Sequence, residues 1–155
     1  MKENFDSTAW AAAFAQAVRL LAGREHSKFE LRQKMSRKAH SPELIEAVLE
    51  DLQQRDYQSD LRFTSTFILS RIKRAQGPQK ILAQLAQRGI RVDSLEAYLP
   101  DDHDWDVLAS ESLRRGAPIR ANDARKFREA AYRRLSNRGF SHSQSMAAIK
   151  NLPWE

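Results

Sequence analysis

The amino-acid sequence predicts an all-α protein made of three tandem three-helix repeats of about 50 residues each, forming an elongated, curved stack. Three observations support this fold class: a period of about fifty residues, apolar side chains at helical spacing, and a scarcity of strand patterns. Apolar or small residues recur in register as Leu31/Ile81/Ala131, Met35/Leu85/Leu135, Val48/Tyr98/Ala148 and Leu49/Leu99/Ile149. We therefore expect one domain over residues 1–155, with repeat units at about 8–56, 57–100 and 101–153.

The first repeat contains signals for three helices. Residues 8–22 are rich in Ala and Leu, and Gly23 follows them as a C-cap. Ser27 opens the second helix with a capping box, because Glu30 lies three positions further on. Ser41 is the predicted N-cap of the third helix, and the proline after it is favoured at the first helical position.

The second and third repeats carry similar signals. In the second repeat, helices are predicted to begin at Ser59 and after Gly77, and a third helix is predicted to stop at Pro100. In the third repeat, helices are predicted from about Asp104, from about residue 123, and from Ser141 with a second capping box. The sequence therefore predicts nine helices, three in each repeat.

The turn between the second and third helices of each repeat is also in register. It reads Lys38-Ala39-His40, Arg88-Gly89-Ile90 and Arg138-Gly139-Phe140. A cation, a residue that tolerates positive φ and an apolar residue together form a helix end, so Gly89 and Gly139 are predicted to be left-handed. His40 occupies the position of Ile90 and Phe140, which favours a packing role over a ligand role.

Charge is distributed in blocks along the chain. The formal net charge is +6, and no acidic residue lies between Asp60 and Asp93. The sign reverses between Arg91 and Arg114, and the stretch up to Arg138 is basic again. If the repeats stack in one orientation, the surface is polarised and can meet both a polyanion and a basic protein patch. The alternative is that these charges belong to solvated helix faces with local ion pairs.

The sequence offers no pattern for catalysis, a cofactor or a metal. There is no cysteine, the glycines lie outside any nucleotide-binding motif, and the four histidines lack zinc-site spacing. The acidic residues between 101 and 106 are better explained as capping and solubilising groups than as metal ligands. No apolar run approaches the roughly 18 to 20 residues that a bilayer requires. We predict a cytoplasmic, monomeric protein that is not an enzyme, contacts no membrane and has no cofactor and no metal.

Basic side chains are the predicted contacts to a protein partner or to DNA. Most of them are arginines, whose planar guanidinium bonds phosphates and carboxylates with two parallel hydrogen bonds. The candidates are Lys38, Arg62, Arg71, Lys73, Arg74, Lys80, Arg88, Arg91 and Arg138. Lys38, Arg88 and Arg138 are equivalent in the repeats, and for them the alternative role is to stabilise the carbonyl end of a helix.

Several strings of the sequence match a known family in the expected order. Residues 17–35, AVRLLAGREHSKFELRQKM, resemble the opening signature A-x-x-L-L-A-x-R-E-x-S-x-x-E-L-x-x-K-L of the RecX regulatory proteins. The later matches are Asp60-Leu61-Arg62-Phe63, Ser70-Arg71, Gly77-Pro78, Leu85 with Arg88-Gly89-Ile90, and Arg138-Gly139-Phe140-Ser141. The resemblance covers about residues 9–152, and Ala39 departs from it where the other repeats carry a turn glycine.

The resemblance implies three tandem three-helix repeats, in agreement with the period found from the residues. It also implies that the protein binds the RecA recombinase or the RecA–DNA filament and inhibits its ATPase, strand-exchange and coprotease activities in DNA repair. The partners expected on this basis are the RecA filament and DNA, contacted directly or through the filament. The alternative class is an architectural DNA-binding protein with helix-turn-helix-like units, whose basic second helices contact phosphates.

Overall fold

A computed structural model describes residues 2–153, and its regular structure in that range is entirely helical. The α-helices are α1 (Ser7–Gly23), α2 (Lys28–Ser36), α3 (Pro42–Gln54), α4 (Asp60–Lys73), α5 (Pro78–Gln87), α6 (Trp105–Arg115), α7 (Ala124–Asn137) and α8 (His142–Lys150). Short 3-10 helices span Lys2–Asn4 and Glu96–Tyr98. The all-α fold class is confirmed.

The predicted count of nine helices is wrong for this part of the chain, which has eight α-helices. The third helix of the second repeat is replaced by the 3-10 helix Glu96–Tyr98. Pro100 disfavours the helical conformation at the preceding residue, and Leu99 is accordingly extended at φ −88°, ψ 148°. Leu95 fills the core there, 4% exposed, whereas Tyr98 and Leu99 are only half-buried.

The chain divides into two compact units. The first contains the residues up to Thr66 together with Leu85–Arg91, and the second contains Phe67–Gln84 together with the residues from Val92 onward. Residues of the predicted middle repeat are therefore shared between the two units. The repeat boundaries at 8–56, 57–100 and 101–153 stay a prediction.

In the first unit, α1, α2 and α3 surround an apolar core. The side chains of Leu31, Met35, Val48 and Leu49 are fully buried, as the repeat register predicts. The predicted capping box of α2 is present: Ser27 Oγ accepts from Glu30 N at 3.1 Å, and Ser27 N donates to Glu30 at 3.2 Å.

In the second unit, α6, α7 and α8 pack around Ala131, Leu135, Phe140 and Ala148, each at most 2% exposed. The capping box predicted at Ser141 is also present, because its hydroxyl accepts from Gln144 N at 3.2 Å and its N–H donates to Gln144 Oε1 at 2.8 Å.

One contact between the start of one helix and the end of another occurs in both units at equivalent positions. In the first unit, Ser27 Oγ donates to the carbonyl oxygen of Arg88 at 2.8 Å. In the second unit, Gly77 N donates to the carbonyl oxygen of Arg138 at 2.7 Å. Gly77 is the equivalent of Ser27 one repeat later in the sequence, and Arg138 is the equivalent of Arg88. The repeat in the sequence is therefore also a repeat of this contact.

The glycines after these two carbonyls are left-handed, as predicted. Gly89 has φ +75° and Gly139 has φ +93°. A Cβ at Gly89 would lie 2.6 Å from the Cβ of Phe29, and a Cβ at Gly139 would overlap the backbone of Lys80. Glycine is therefore required both for its backbone conformation and for the close approach of a second helix.

We predict that Gly89→Ala and Gly139→Ala each lower the free energy of unfolding by more than about 1 kcal/mol, because alanine is strained at positive φ and its Cβ meets a neighbour. Gly23→Ala is the control, since its Cβ would meet nothing within 4 Å. Urea denaturation measures the three values. Equal stabilities for all three variants would contradict the role of the turns.

His26 lies buried beside the start of α2. It is 2% exposed, its Nδ1 is 3.0 Å from the carbonyl oxygen of Arg24, and its Nε2 is 3.0 Å from Lys34 Nζ. Burial lowers the pKa of His26 below 6.5; the hydrogen bond to Arg24 raises it, the charges of Arg24 and Lys34 lower it, and Glu30 raises it. The folded unit therefore favours the neutral ring.

We predict that the protein loses stability as the pH falls from about 7.5 to about 5.5. The unfolded chain binds a proton at His26 below pH 6.5, whereas the folded chain with its lowered pKa resists it. His26→Gln should reduce this pH dependence, measured by urea denaturation at both pH values. Burial also lowers the pKa of His103. His103→Gln should therefore remove the pH dependence of stability that remains in His26→Gln. An unchanged pH dependence in His26→Gln would contradict the buried neutral ring.

Candidate functional site

The predicted contact residues are distributed over both units. The first unit holds Lys38, Arg62, Arg88 and Arg91, and the second holds Arg71, Lys73, Arg74, Lys80 and Arg138. Their environments differ, and the differences separate side chains that hold the fold from side chains that remain available to a partner.

Arg62 is bound within the first unit. Its guanidinium pairs with Glu25 at 2.5 Å and with Asp56 at 3.3 Å, and it donates to the carbonyl oxygens of Asp56 and Tyr57. These contacts tie the start of α4 to the turn that precedes it and to the segment before α2. Arg62 therefore has a structural role.

Arg71, one of the predicted partner contacts, is not a fully exposed charge. Its guanidinium lies over the ring of Phe67, 4.4 Å from the ring centroid, and the side chain is half-buried. A cation held over an aromatic face contributes to packing as well as charge. Reversal of charge at Arg71 would therefore disturb the fold.

Three further candidates contact helix ends. Lys80 Nζ donates to the carbonyl oxygen of Asn137 at 3.4 Å, and Arg138 donates to the carbonyl oxygen of Arg74. The backbone of Arg88 accepts the hydrogen bond from Ser27 described above. For Arg138 the contact matches the alternative interpretation, in which a cation stabilises the carbonyl end of a helix, and Lys80 makes a contact of the same kind.

The remaining candidates are exposed: Lys38, Lys73, Arg74 and Arg91. Within residues 2–153, none of these four side chains is ion-paired. Lys73 and Arg74 are neighbours at the end of α4 in the second unit. This pair is the best-placed predicted contact on that unit.

Two arginines that are not among the predicted contacts lie in the same unit as Lys73 and Arg74. Arg115 Nη1 donates to the carbonyl oxygen of Lys73 at 2.6 Å, and Arg134 Nη1 donates to that of Ala117 at 2.6 Å. With Arg138 they line a cavity of about 310 Å³. The basic run from Arg114 to Arg138 was a signal for this cluster, but the spacing along the chain does not reveal which arginines converge.

An apolar groove of about 560 Å³ lies between α7 and α8. Its floor includes Tyr132, Met146 and Ile149, and Met146 is 48% exposed. Arg128 and Arg133 flank it. Glu129 lines it as well, so the apolar surface is bordered by charges of both signs.

In the range 2–153, no group of three His, Asp or Glu side chains is arranged to hold a metal ion. His40 Nε2 instead lies 2.9 Å from Gln16 Oε1, in keeping with a packing role. No helix of the described chain has the length and apolar character to cross a membrane.

The fold and these surfaces define an all-α protein of helical repeats with an arginine-rich exterior. A family model described as "RecX, first three-helix domain" matches residues 13–52. The chain is 38% identical to "Regulatory protein RecX" of Halorhodospira halophila over 85% of this chain and 83% of the relative. It is 36% identical to the protein of the same name from Chromohalobacter salexigens, over 96% and 97% of the two chains. The chain belongs to the RecX family of regulatory proteins.

Solved structures have the same fold. A crystal structure of regulatory protein RecX aligns with a TM-score of 0.76 at 22% identity, over 93% of this chain and 74% of that chain. The crystal structure of RecX from Lactobacillus salivarius aligns with a TM-score of 0.73 at 18% identity, over 95% and 98%.

We predict that Arg62→Gln lowers the free energy of unfolding by about 1 to 2 kcal/mol, because it removes two ion pairs and two hydrogen bonds of a partly exposed side chain. Arg91→Gln, at an exposed and unpaired arginine, should change it by less than about 0.5 kcal/mol. Chemical denaturation of both variants provides the comparison. If Arg62→Gln is as stable as Arg91→Gln, then Arg62 is available for partner contact.

Proposed function

We propose that this protein regulates the RecA recombinase by binding the RecA–DNA filament and inhibiting its ATPase, strand-exchange and coprotease activities. The observation that carries the proposal is the similarity to proteins named regulatory protein RecX over 83% to 97% of their length. The same family name is borne by solved structures with this fold. We further propose that the protein acts as a monomer in the cytoplasm, without catalytic activity of its own.

Opposite charges on each unit support binding to a filament of protein and DNA. In the first unit, Glu43, Glu46 and Glu50 are exposed on α3, while Lys38 and Arg91 are exposed cations. In the second unit, exposed acids precede α6, at Asp93, Asp101, Asp102 and Asp104, and exposed cations lie at the end of α4, at Lys73 and Arg74. Basic patches attract DNA or acidic protein surface, and acidic patches attract basic recombinase surface.

The proposed inhibition is steric and electrostatic. A helical protein that contacts neighbouring recombinase subunits restricts the motions that couple ATP hydrolysis to strand exchange. Charged side chains at the rim of such a contact chiefly raise the association rate and specificity. The inhibition should therefore weaken as salt rises, since exposed charges are screened beyond about 8 to 10 Å near physiological ionic strength.

We predict that Lys73→Glu with Arg74→Glu raises the protein concentration needed for half-inhibition of RecA ATPase on single-stranded DNA by about tenfold at low salt. Both side chains are exposed, so the fold should be preserved. The control is Arg19→Glu with Arg120→Glu, which changes the net charge equally at exposed positions elsewhere. Melting curves check the fold of both proteins.

Three outcomes decide the proposal. No effect of the parent protein on RecA ATPase would refute the proposed function. Equal loss of inhibition in both double variants would show that net charge, and not the end of α4, matters. Tight binding to bare duplex DNA with a steep salt dependence, without an effect on RecA filaments, would favour the architectural DNA-binding class.

A further inference from the structure

Three arginine side chains of the second unit surround one cavity of about 310 Å³. Arg115 is the last residue of α6, and Arg134 and Arg138 lie one turn apart at the end of α7. Ser112, Gly116 and Ala117 complete the lining. Converging like charges repel one another unless a counter-charge is present.

Backbone carbonyls hold the three guanidinium groups in place. Arg115 donates to the carbonyl oxygen of Lys73, Arg134 to that of Ala117, and Arg138 to that of Arg74. A guanidinium has five N–H donors, so each group retains donors after this contact. The orientation of the side chains is therefore set before a ligand arrives, which lowers the entropy lost on binding.

The cavity retains positive charge. Arg115 pairs with Glu111 at 2.5 Å, but no carboxylate in the described range 2–153 pairs with Arg134 or Arg138. Ser112 is 5% exposed, and its hydroxyl has no hydrogen-bond partner among the described residues. That oxygen is itself enclosed, so the donors that the cavity offers to a ligand are the N–H groups of the arginines.

We propose that this cavity binds a phosphoryl group. Phosphate presents at least three strong acceptor oxygens that point in different directions, whereas a carboxylate presents two in one plane, so phosphate fits donors that converge from the ends of two helices. Arginine forks bond phosphate oxygens in pairs. The volume is several times the roughly 30 Å³ that one water occupies in the liquid, so part of a nucleotide fits as well.

The proposal goes beyond recombinase regulation, because it assigns a specific phosphate contact to this chain itself. The phosphoryl group has two possible sources: the phosphodiester backbone of a nucleic acid, or a soluble phosphate such as a nucleoside triphosphate. The two sources share the recognising chemistry, and the experiment below separates them.

The first experiment follows the Nε–H signals of the arginine side chains by NMR in the full-length protein. Inorganic phosphate is titrated against chloride at equal ionic strength. The signals of Arg134 and Arg138 should shift, and that of Arg133, exposed on the same helix and outside this cavity, should not. Absent shifts, or equal shifts at Arg133, would overturn the proposal.

Substitutions then test affinity. Arg134→Gln and Arg138→Gln should each weaken phosphate binding by about tenfold, the size expected for a lost charge-assisted hydrogen bond, and Arg133→Gln should weaken it by less than about twofold. An effect of Arg133→Gln as large as the others would show diffuse attraction to a basic surface and overturn the site.

A second variant keeps all charges and guards against loss of folding. A Cβ at Gly116 would lie 2.6 Å from Arg134 Nη1, and Gly116 has φ −74°, which alanine adopts without strain. Gly116→Ala should therefore displace the guanidinium and weaken phosphate binding several-fold while the melting temperature stays that of the parent. Gly23→Ala is the control. Parent-like phosphate affinity in Gly116→Ala would overturn the proposed geometry.

Competition identifies the source of the phosphoryl group. If a short single-stranded oligonucleotide displaces phosphate, and Arg138→Gln lowers the salt slope of its binding by about one, the site holds a nucleic-acid phosphate. If ATP displaces phosphate and the oligonucleotide does not, the site holds a soluble phosphate. RecA is absent from both measurements. A negative result would therefore refute phosphate binding without refuting the proposed regulation of RecA.

Discussion

In both units, a hydrogen bond at equivalent positions joins the start of one helix to the end of another. In each unit a group at the start of one helix donates to the carbonyl of an arginine at the end of another, from Ser27 to Arg88 and from Gly77 to Arg138. Helix ends carry carbonyls without an intrahelical partner, and burial of such a group without a hydrogen bond is costly. The contact satisfies the carbonyl and brings the backbones close together, so the following residue must be glycine.

The corresponding turn of the first repeat, Lys38-Ala39-His40, has no glycine. Ala39 stands where Gly89 and Gly139 stand in the later turns, and it is not left-handed. A Cβ at Gly89 would meet Phe29 and a Cβ at Gly139 would meet Lys80, whereas Ala39 carries a Cβ at the equivalent position. The alanine at this position is therefore accompanied by a backbone conformation that differs from that of Gly89 and Gly139.

Much of the fold was predictable because burial follows periodicity. Leu31, Ile81 and Ala131 share a register and are all fully buried. Residues 92–99 were not predictable in the same way. Leu99 lies in register with Leu49 and Ile149, which are in α-helices, but Pro100 follows it and limits the length of the segment. The candidate site was harder still. Whether an arginine is exposed, as Arg74 is, or lies over an aromatic ring, as Arg71 does, depends on tertiary contacts that the sequence pattern does not contain.

The acceptor that each arginine contacts determines how much charge remains for a partner. In the first unit, Arg24, Arg32 and Arg62 pair with carboxylates, which cancel their charge locally. In the second unit, Arg134 and Arg138 donate to neutral carbonyls, which orient the guanidinium and leave its charge intact. A carbonyl-anchored arginine is thus both ordered and positive, a combination that an ion-paired arginine lacks. For this reason Arg134 and Arg138, at the end of α7, are better suited to recognise an anion than the ion-paired arginines Arg24, Arg32 and Arg62.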